Sequence, residues 1–181
     1  MPTEFEYKYV LYQHLSEEDL EKACLEKKEI VQGWLFDDKG VCLRIRRSHT
    51  ANTTEWFMTM KCYHPPSGRI IEIESSLDSR DGEDLLGQCK YSMLKNRYVI
   101  KHKELKWEVD FLKNFNQTYF ILAEIELPEN SPRPTSVPDC IKDHVLYDVP
   151  MGDMRCNNTL LRNIDYAQNL YHRLPRIKNE D

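Results

Sequence analysis

Acidic and basic side chains recur two residues apart at six places in this sequence, and their types suit one kind of chemistry. Glu4, Glu6 and Lys8 alternate with Phe5 and Tyr7; Arg44 and Arg46 flank Ile45, and Glu72 and Glu74 flank Ile73. Further along, Lys95 and Arg97 bracket Asn96, Glu108 and Asp110 bracket Val109, and Glu124 and Glu126 bracket Ile125. Carboxylate oxygens are hard ligands that suit magnesium or manganese, which complete their shells with water and substrate phosphates. Arginine offers a planar fork that matches phosphate oxygens, and lysine offers a point charge. Together these groups read as a site for a metal-bound polyphosphate.

Such residues must be held by strands. Successive strand side chains point to opposite faces, so charges at i and i+2 share one face and the apolar residues between them share the other. One strand of this kind is ordinary solvent-facing sheet. Here acids lie on some strands and bases on others, which points to a single surface carrying both signs. Desolvating such groups costs several kcal/mol per ion, so they must stay hydrated, pair, or bind ions and ligands. The fold expected is a β-barrel of the α+β class: an antiparallel eight-stranded closed tunnel barrel with a charged lumen and helices packed outside.

Helices interrupt this pattern in a few places. Ser16 followed by Glu17, Glu18 and Asp19 predicts a capped helix start, with Leu20, Ala23, Cys24 and Lys27 as its inward stripe. A second helix is expected over 82–94 and a last one over 158–174. Pro65, Pro66, Ser67 and Gly68 form the turn of a hairpin. Residues 128–139, with Pro132, Pro134 and Pro138 among polar residues, read as a connecting loop.

A chain of 181 residues is expected to be one domain, 1–181, with 156–181 as a C-terminal helix and tail. Its hydrophobic content of 40% supports a core. No N-terminal apolar run resembles a signal peptide and no segment has the length of a membrane helix, so a cytoplasmic protein without membrane contact is expected. A membrane barrel also alternates, but the missing signal and the interspersed helices argue against it. The six cysteines show no metal-like spacing and read as reduced packing residues. The histidines lack an H-x-x-x-H spacing, which argues against a transition-metal site. A net charge of -5 gives no general attraction to nucleic acid.

The same residues resemble the triphosphate tunnel metalloenzymes, or CYTH superfamily. Glu4-Phe5-Glu6-Tyr7-Lys8 is similar to that family's ExExK signature, and Val31-Gln32-Gly33-Trp34-Leu35 to its QGYL-type strand. Leu43-Arg44-Ile45-Arg46 resembles the VRVR-like strand, Thr59-Met60-Lys61 the TIK strand, and Ile71-Glu72-Ile73-Glu74 the paired-glutamate strand. Lys95-Asn96-Arg97-Tyr98 resembles the KxR strand, Trp107-Glu108-Val109-Asp110 the WEID-type strand, and Leu122 to Leu127 the AEIEL strand. Asp153 to Leu160 resembles the terminal D-x-R-Y-x-N-x-x-L element. Five residues alone recur by chance; this many pieces in order span most of the chain.

The resemblance implies divalent-metal-dependent hydrolysis of a triphosphate, with an inorganic triphosphatase favoured. The alternatives are a class IV adenylyl cyclase, a thiamine, nucleoside or RNA triphosphatase, and a non-catalytic polyphosphate- or nucleotide-binding module. Glu4, Glu6, Glu124 and Glu126 are the metal candidates, and with Lys8 the catalytic set. Glu72, Glu74, Glu108 and Asp110 either hold a second metal or orient arginines through ion pairs. Lys8, Arg44, Arg46, Lys61, Lys95 and Arg97 are the phosphate candidates, the bland alternative being a structural ion-pair network. The expected cofactor is Mg2+ or Mn2+ and the expected partner a small triphosphate-containing molecule, with homodimer formation left open.

Overall fold

The computed structural model describes residues 5–64, 69–128 and 131–175. In chain order the elements are β1 (Phe5–Leu11), α1 (Glu17–Ala23), β2 (Glu26–Asp38), β3 (Val41–His49), β4 (Thr54–His64), β5 (Arg69–Leu77) and α2 (Ser79–Gly87). There follow β6 (Tyr91–His102), β7 (Leu105–Asn114), β8 (Gln117–Leu127), α3 (Asp139–Lys142), β9 (Val145–Val149), a 3-10 turn at Met154–Cys156, α4 (Asn158–Leu161) and α5 (Ile164–Arg173). The strands are hydrogen-bonded in the order β5-β4-β3-β2-β6-β7-β8-β1-β9. This corrects the expected closed barrel of eight strands: among the described residues there are nine, and their hydrogen-bonded order has two ends, β5 and β9, rather than returning on itself. The extra strand is only five residues long, too short for its alternation to stand out, and pairs antiparallel with β1.

The described residues group into two compact units, one from residues 1–27 with 96–181 and the other from 28–95. In the first, β1 pairs antiparallel with β8 and β9, and β8 with β7. Odd-numbered residues of these strands, among them Tyr7, Tyr9, Val109, Phe111, Ile121, Ala123 and Ile125, build the core with Leu20 of α1 and Ile141 of α3. Their even-numbered neighbours therefore line the opposite face.

Helix α1 starts where the sequence predicts, with Ser16 accepting from the Glu18 N–H. It is tied down by one carboxylate: Glu17 accepts from Asn96 Nδ2 at 2.7 Å, from the Tyr98 hydroxyl at 2.8 Å, and from Lys113 Nζ. Burial pushes the Glu17 carboxyl up, but these donors prevail and hold it below the usual glutamate range. A lowered carboxylate adds stability above its unfolded value and loses it as pH falls through its folded value. Glu17→Gln is therefore expected to cost about 1.5–3 kcal/mol at neutral pH. That deficit should shrink as both proteins are taken below the usual glutamate range, as urea midpoints measured across pH will show.

In the second unit, β2, β3, β4 and β5 form an antiparallel meander. The β2–β3 turn places Lys39 and Gly40 at positive φ of 50° and 80°, as a two-residue primed turn requires. The turn residues 65–68 lie outside the described residues, but His64 pairs with Arg69 across the expected hairpin. Helix α2 begins earlier than expected, at Ser79, because Asp78 accepts from the Arg80 and Asp81 N–H groups. It ends at Gly87, so Tyr91 to Leu94 are strand rather than helix. It packs against the sheet with no room to spare: a Cβ on Gly82 would lie 2.5 Å from Trp56 ring atoms. Gly82→Ala should thus cost about 1–3 kcal/mol by overpacking, read as a lowered thermal midpoint.

The expected last helix is two pieces, α4 and α5, because Asn163 caps the second through Tyr166 N–H. Residues 176–181 of the expected tail, and 129 and 130 of the connecting loop, lie outside the described residues. Among the described residues no cysteine forms a disulfide. Among the described residues no helix is long and apolar enough to cross a membrane.

Candidate functional site

The even-numbered positions of the first unit converge as their parity predicts. In register, Glu6 faces Glu126 and Lys8 faces Glu124 across β1 and β8, while Glu108 faces Glu124 across β7 and β8. Like charges placed opposite each other are destabilising unless a cation intervenes. Two cations do. Lys8 Nζ lies 2.9 Å from both Glu6 and Glu124. Arg97 donates through Nε and Nη2 to Asp110 at 2.6 and 2.7 Å, through Nη1 to Glu108, and reaches Glu124 at 3.5 Å.

Burial works against the charge on Lys8, yet the carboxylates of Glu124 and Glu6 raise its affinity for the proton well above the ordinary lysine value. Arg97 is likewise desolvated and held charged by Asp110, Glu108 and Glu124. Glu6 tells the opposite story. Burial and then the Glu124 charge push its carboxyl up, Lys8 pulls it down, and Glu126 adds further repulsion. The net shift is upward, with burial its largest cause; by count, the carboxylates of Glu6, Glu108, Asp110, Glu124 and Glu126 outnumber the cations Lys8 and Arg97.

That excess suits a divalent cation with hard oxygen ligands, and the donor set of Glu6, Glu124 and Glu126 is of the right chemistry. Among the described residues, however, no three of His, Cys, Asp and Glu stand together as a preformed metal cluster. The Lys8 ammonium stands between two of the acids instead. Glu4 lies outside the described residues.

The second unit carries a cationic counterpart. Cross-strand rows on one sheet face run Gln32, Arg46, Phe57, Ser76, then Trp34, Arg44, Thr59, Glu74, then Cys42, Lys61, Glu72. Arg46 Nη2 donates to both oxygens of Glu74 at 3.1 and 3.0 Å, and its guanidinium stacks 5.2 Å from the Phe57 ring. Arg44 donates to Thr59 Oγ1 at 3.2 Å, and Thr59 donates in turn to Glu74 at 2.8 Å. Lys61 pairs with Glu72 at 2.9 Å across a half-exposed edge, where such a pair is worth little. Burial and the neighbouring Arg46 charge lower the pKa of Arg44, and Glu72 and Glu74 offset this only in part. By count, Arg44, Arg46 and Lys61 outnumber Glu72 and Glu74 on this face. Lys95 is buried in the interior of β6.

The structure thus brings Glu6, Lys8, Arg97, Glu108, Asp110 and Glu124 into one cluster with Glu126 at its margin. It brings Arg44, Arg46, Lys61, Glu72 and Glu74 together on the other unit's sheet. Thr59 was not singled out from sequence, though its place two residues before Lys61 gives it the same parity as the charges.

No protein-family model matches the chain. No curated protein matches it either. Solved structures do. A conserved hypothetical protein from Pyrococcus furiosus is 18% identical, with a TM-score of 0.50 over 71% of this chain and 81% of that one. The PH1819 protein of Pyrococcus horikoshii is 19% identical, with a TM-score of 0.49 over 70% of this chain and 80% of that one. A candidate adenylate cyclase from Bacillus halodurans is 15% identical, with a TM-score of 0.41 over 70% and 80%. At these identities the likeness is one of fold alone, which this chain shares with the P. furiosus protein.

Proposed function

We propose that this protein hydrolyses a phosphoanhydride bond of a triphosphate with the help of Mg2+ or Mn2+, inorganic tripolyphosphate being the preferred substrate. The observation that carries this reading is an opposite imbalance of charged groups within each unit: carboxylates outnumber Lys8 and Arg97 around Glu6, and Arg44, Arg46 and Lys61 outnumber Glu72 and Glu74 around Arg44. A divalent cation would supply the charge that the first cluster lacks, and a phosphate group the charge that the Arg44 face lacks. The divalent cation would be held by Glu4, Glu6, Glu124 and Glu126, where it would neutralise phosphate charge and activate water.

The remaining roles belong to the chain's own side chains. Arg44 and Arg46 bind phosphate oxygens through guanidinium edges that Glu74 and Thr59 have already oriented. Lys61 adds a mobile positive charge, and Lys95 a further cation at the end of the second unit. Lys8 bridges two of the metal-binding acids and stabilises charge that develops on the transferred phosphoryl group. Arg97, engaged by three carboxylates, fixes Glu108, Asp110 and Glu124 in place more than it binds phosphate. Glu108 and Asp110 accordingly act as its orienting partners, and Glu72 and Glu74 as those of Lys61 and Arg46.

The test is product analysis by phosphorus NMR with tripolyphosphate, ATP, thiamine triphosphate and 5′-triphosphate RNA, each with magnesium or manganese. Orthophosphate and pyrophosphate from tripolyphosphate are expected. Cyclic AMP and pyrophosphate from ATP would make it a cyclase, and tight binding without products would make it a binding module; either overturns the proposal.

A further inference from the structure

Three buried nitrogen atoms on one face of the second unit have no hydrogen-bond partner: Gln32 Nε2, Arg44 Nε and Arg46 Nε. They are neighbours by register. Gln32 stands directly opposite Arg46 across β2 and β3, and Trp34, two residues on, stands opposite Arg44. Directly opposed residues share a face, with Cβ atoms about 4.5–5.5 Å apart. Gly33, between them, faces the other way, where a Cβ would meet Cys89 and Leu86. Another orphaned guanidinium nitrogen of β3, that of Arg47, also belongs to the other face, over the Trp56 ring. The three donors are therefore a group and not a scatter.

A buried donor left unpaired destabilises the fold, so a fold that holds three together gains from an acceptor placed among them. Both arginines commit their Nη2 ends to Thr59 or Glu74, which leaves the Nε edges as the unused side of each fork. Gln32 is only 1% exposed, whereas the Arg44 and Arg46 side chains keep 14% and 23%, so the three buried donors lie beneath the open part of the two arginines. An acceptor able to take one N–H from each of three donors, two of them cationic, is a tetrahedral oxyanion.

We propose that Gln32 is an anion-binding residue whose amide nitrogen, with the Nε atoms of Arg44 and Arg46, forms a three-donor subsite for a phosphate group. The proposal deepens the triphosphatase reading and rests on it for the identity of the anion, but not for the existence of the subsite. A neutral amide has a particular use there. It adds a directed hydrogen bond without further positive charge, so it orients the phosphate where a third cation would raise the repulsion already borne by Arg44.

The experiment is calorimetric titration of inorganic pyrophosphate into the whole protein with a chelator present, paired with thermal midpoints of the ligand-free protein. Gln32→Met removes the amide at nearly constant volume. It should weaken pyrophosphate binding about tenfold or more and at the same time raise the midpoint, because an unsatisfied buried donor is gone. Gln32→Asn, which keeps a shorter amide, should fall between wild type and Gln32→Met, and Gln32→Glu should bind weakest of all. A merely structural glutamine would give the other pattern, with affinity and midpoint falling together. That pattern, an affinity unchanged by Gln32→Met, or no uptake of pyrophosphate by wild type, overturns the proposal. Because no metal and no turnover are involved, wild type that binds pyrophosphate in this way yet hydrolyses no triphosphate would sink the enzymatic reading alone.

Discussion

Arg97→Met is expected to lower the free energy of unfolding by about 3–5 kcal/mol, the cost of removing one partner from a buried ion pair. Asp110 is fully buried and receives two of the guanidinium hydrogen bonds, so the substitution strands its charge where water cannot reach. Glu108 and Glu124 lose the same cation, which leaves Lys8 alone to counter Glu124 and their mutual repulsion across β7 and β8 less opposed. Replacing both members, as Arg97→Met with Asp110→Leu, should recover much of the loss, because an apolar pair of similar volume needs no desolvated charge. Urea unfolding of the three proteins reads this directly. Equal stabilities for wild type and the single variant would mean that the cluster is solvated rather than buried.

The second large effect falls on activity. Glu6→Gln is expected to reduce triphosphate turnover roughly a hundredfold or more, the scale on which a single preorganised electrostatic group acts. The empty protein should not suffer. Burial and the charges of Glu124 and Glu126 hold the Glu6 carboxyl above its usual range, so its ionised form is disfavoured in the fold. A raised carboxylate makes stability fall as pH climbs through the folded value, and the amide removes that decline. The variant should therefore unfold at the same or higher urea concentration than wild type at neutral pH, while losing turnover. A parallel loss of stability and activity would assign Glu6 a structural role.

Much of the first unit was legible because its strands are long and strictly alternating. Parity alone grouped Glu6, Lys8, Glu108, Asp110, Glu124 and Glu126, and the register agrees. What parity could not give was the pairing within the group. That Lys8 stands between Glu6 and Glu124 depends on β1 lying beside β8, far away in sequence, and that Arg97 is committed to Asp110 is a matter of side-chain reach between the consecutive strands β6 and β7. Gln32 was visible only as part of a motif, since a neutral side chain breaks no charge pattern, and its significance lies in a missing partner. The helix boundaries failed where capping outweighed periodicity. Asp78 started α2 early, and Asn163 split the last helix, although both lie in stretches of acceptable apolar spacing. Strand β9 was missed because five residues hold too little alternation to read.

The central claim, metal-dependent hydrolysis of a triphosphate, is tested most directly by the initial rate of orthophosphate release from tripolyphosphate as magnesium is titrated into metal-stripped wild-type protein. The surface variants Lys22→Ala and Lys142→Ala, whose ion pairs are solvent-exposed, serve as charge controls. The account predicts no release with chelator, a rate that saturates with magnesium, the same curve for both controls, and little or no rate for Glu6→Gln at any magnesium concentration. A rate that persists in chelator, or that is lost as fully in the controls as in Glu6→Gln, would contradict it.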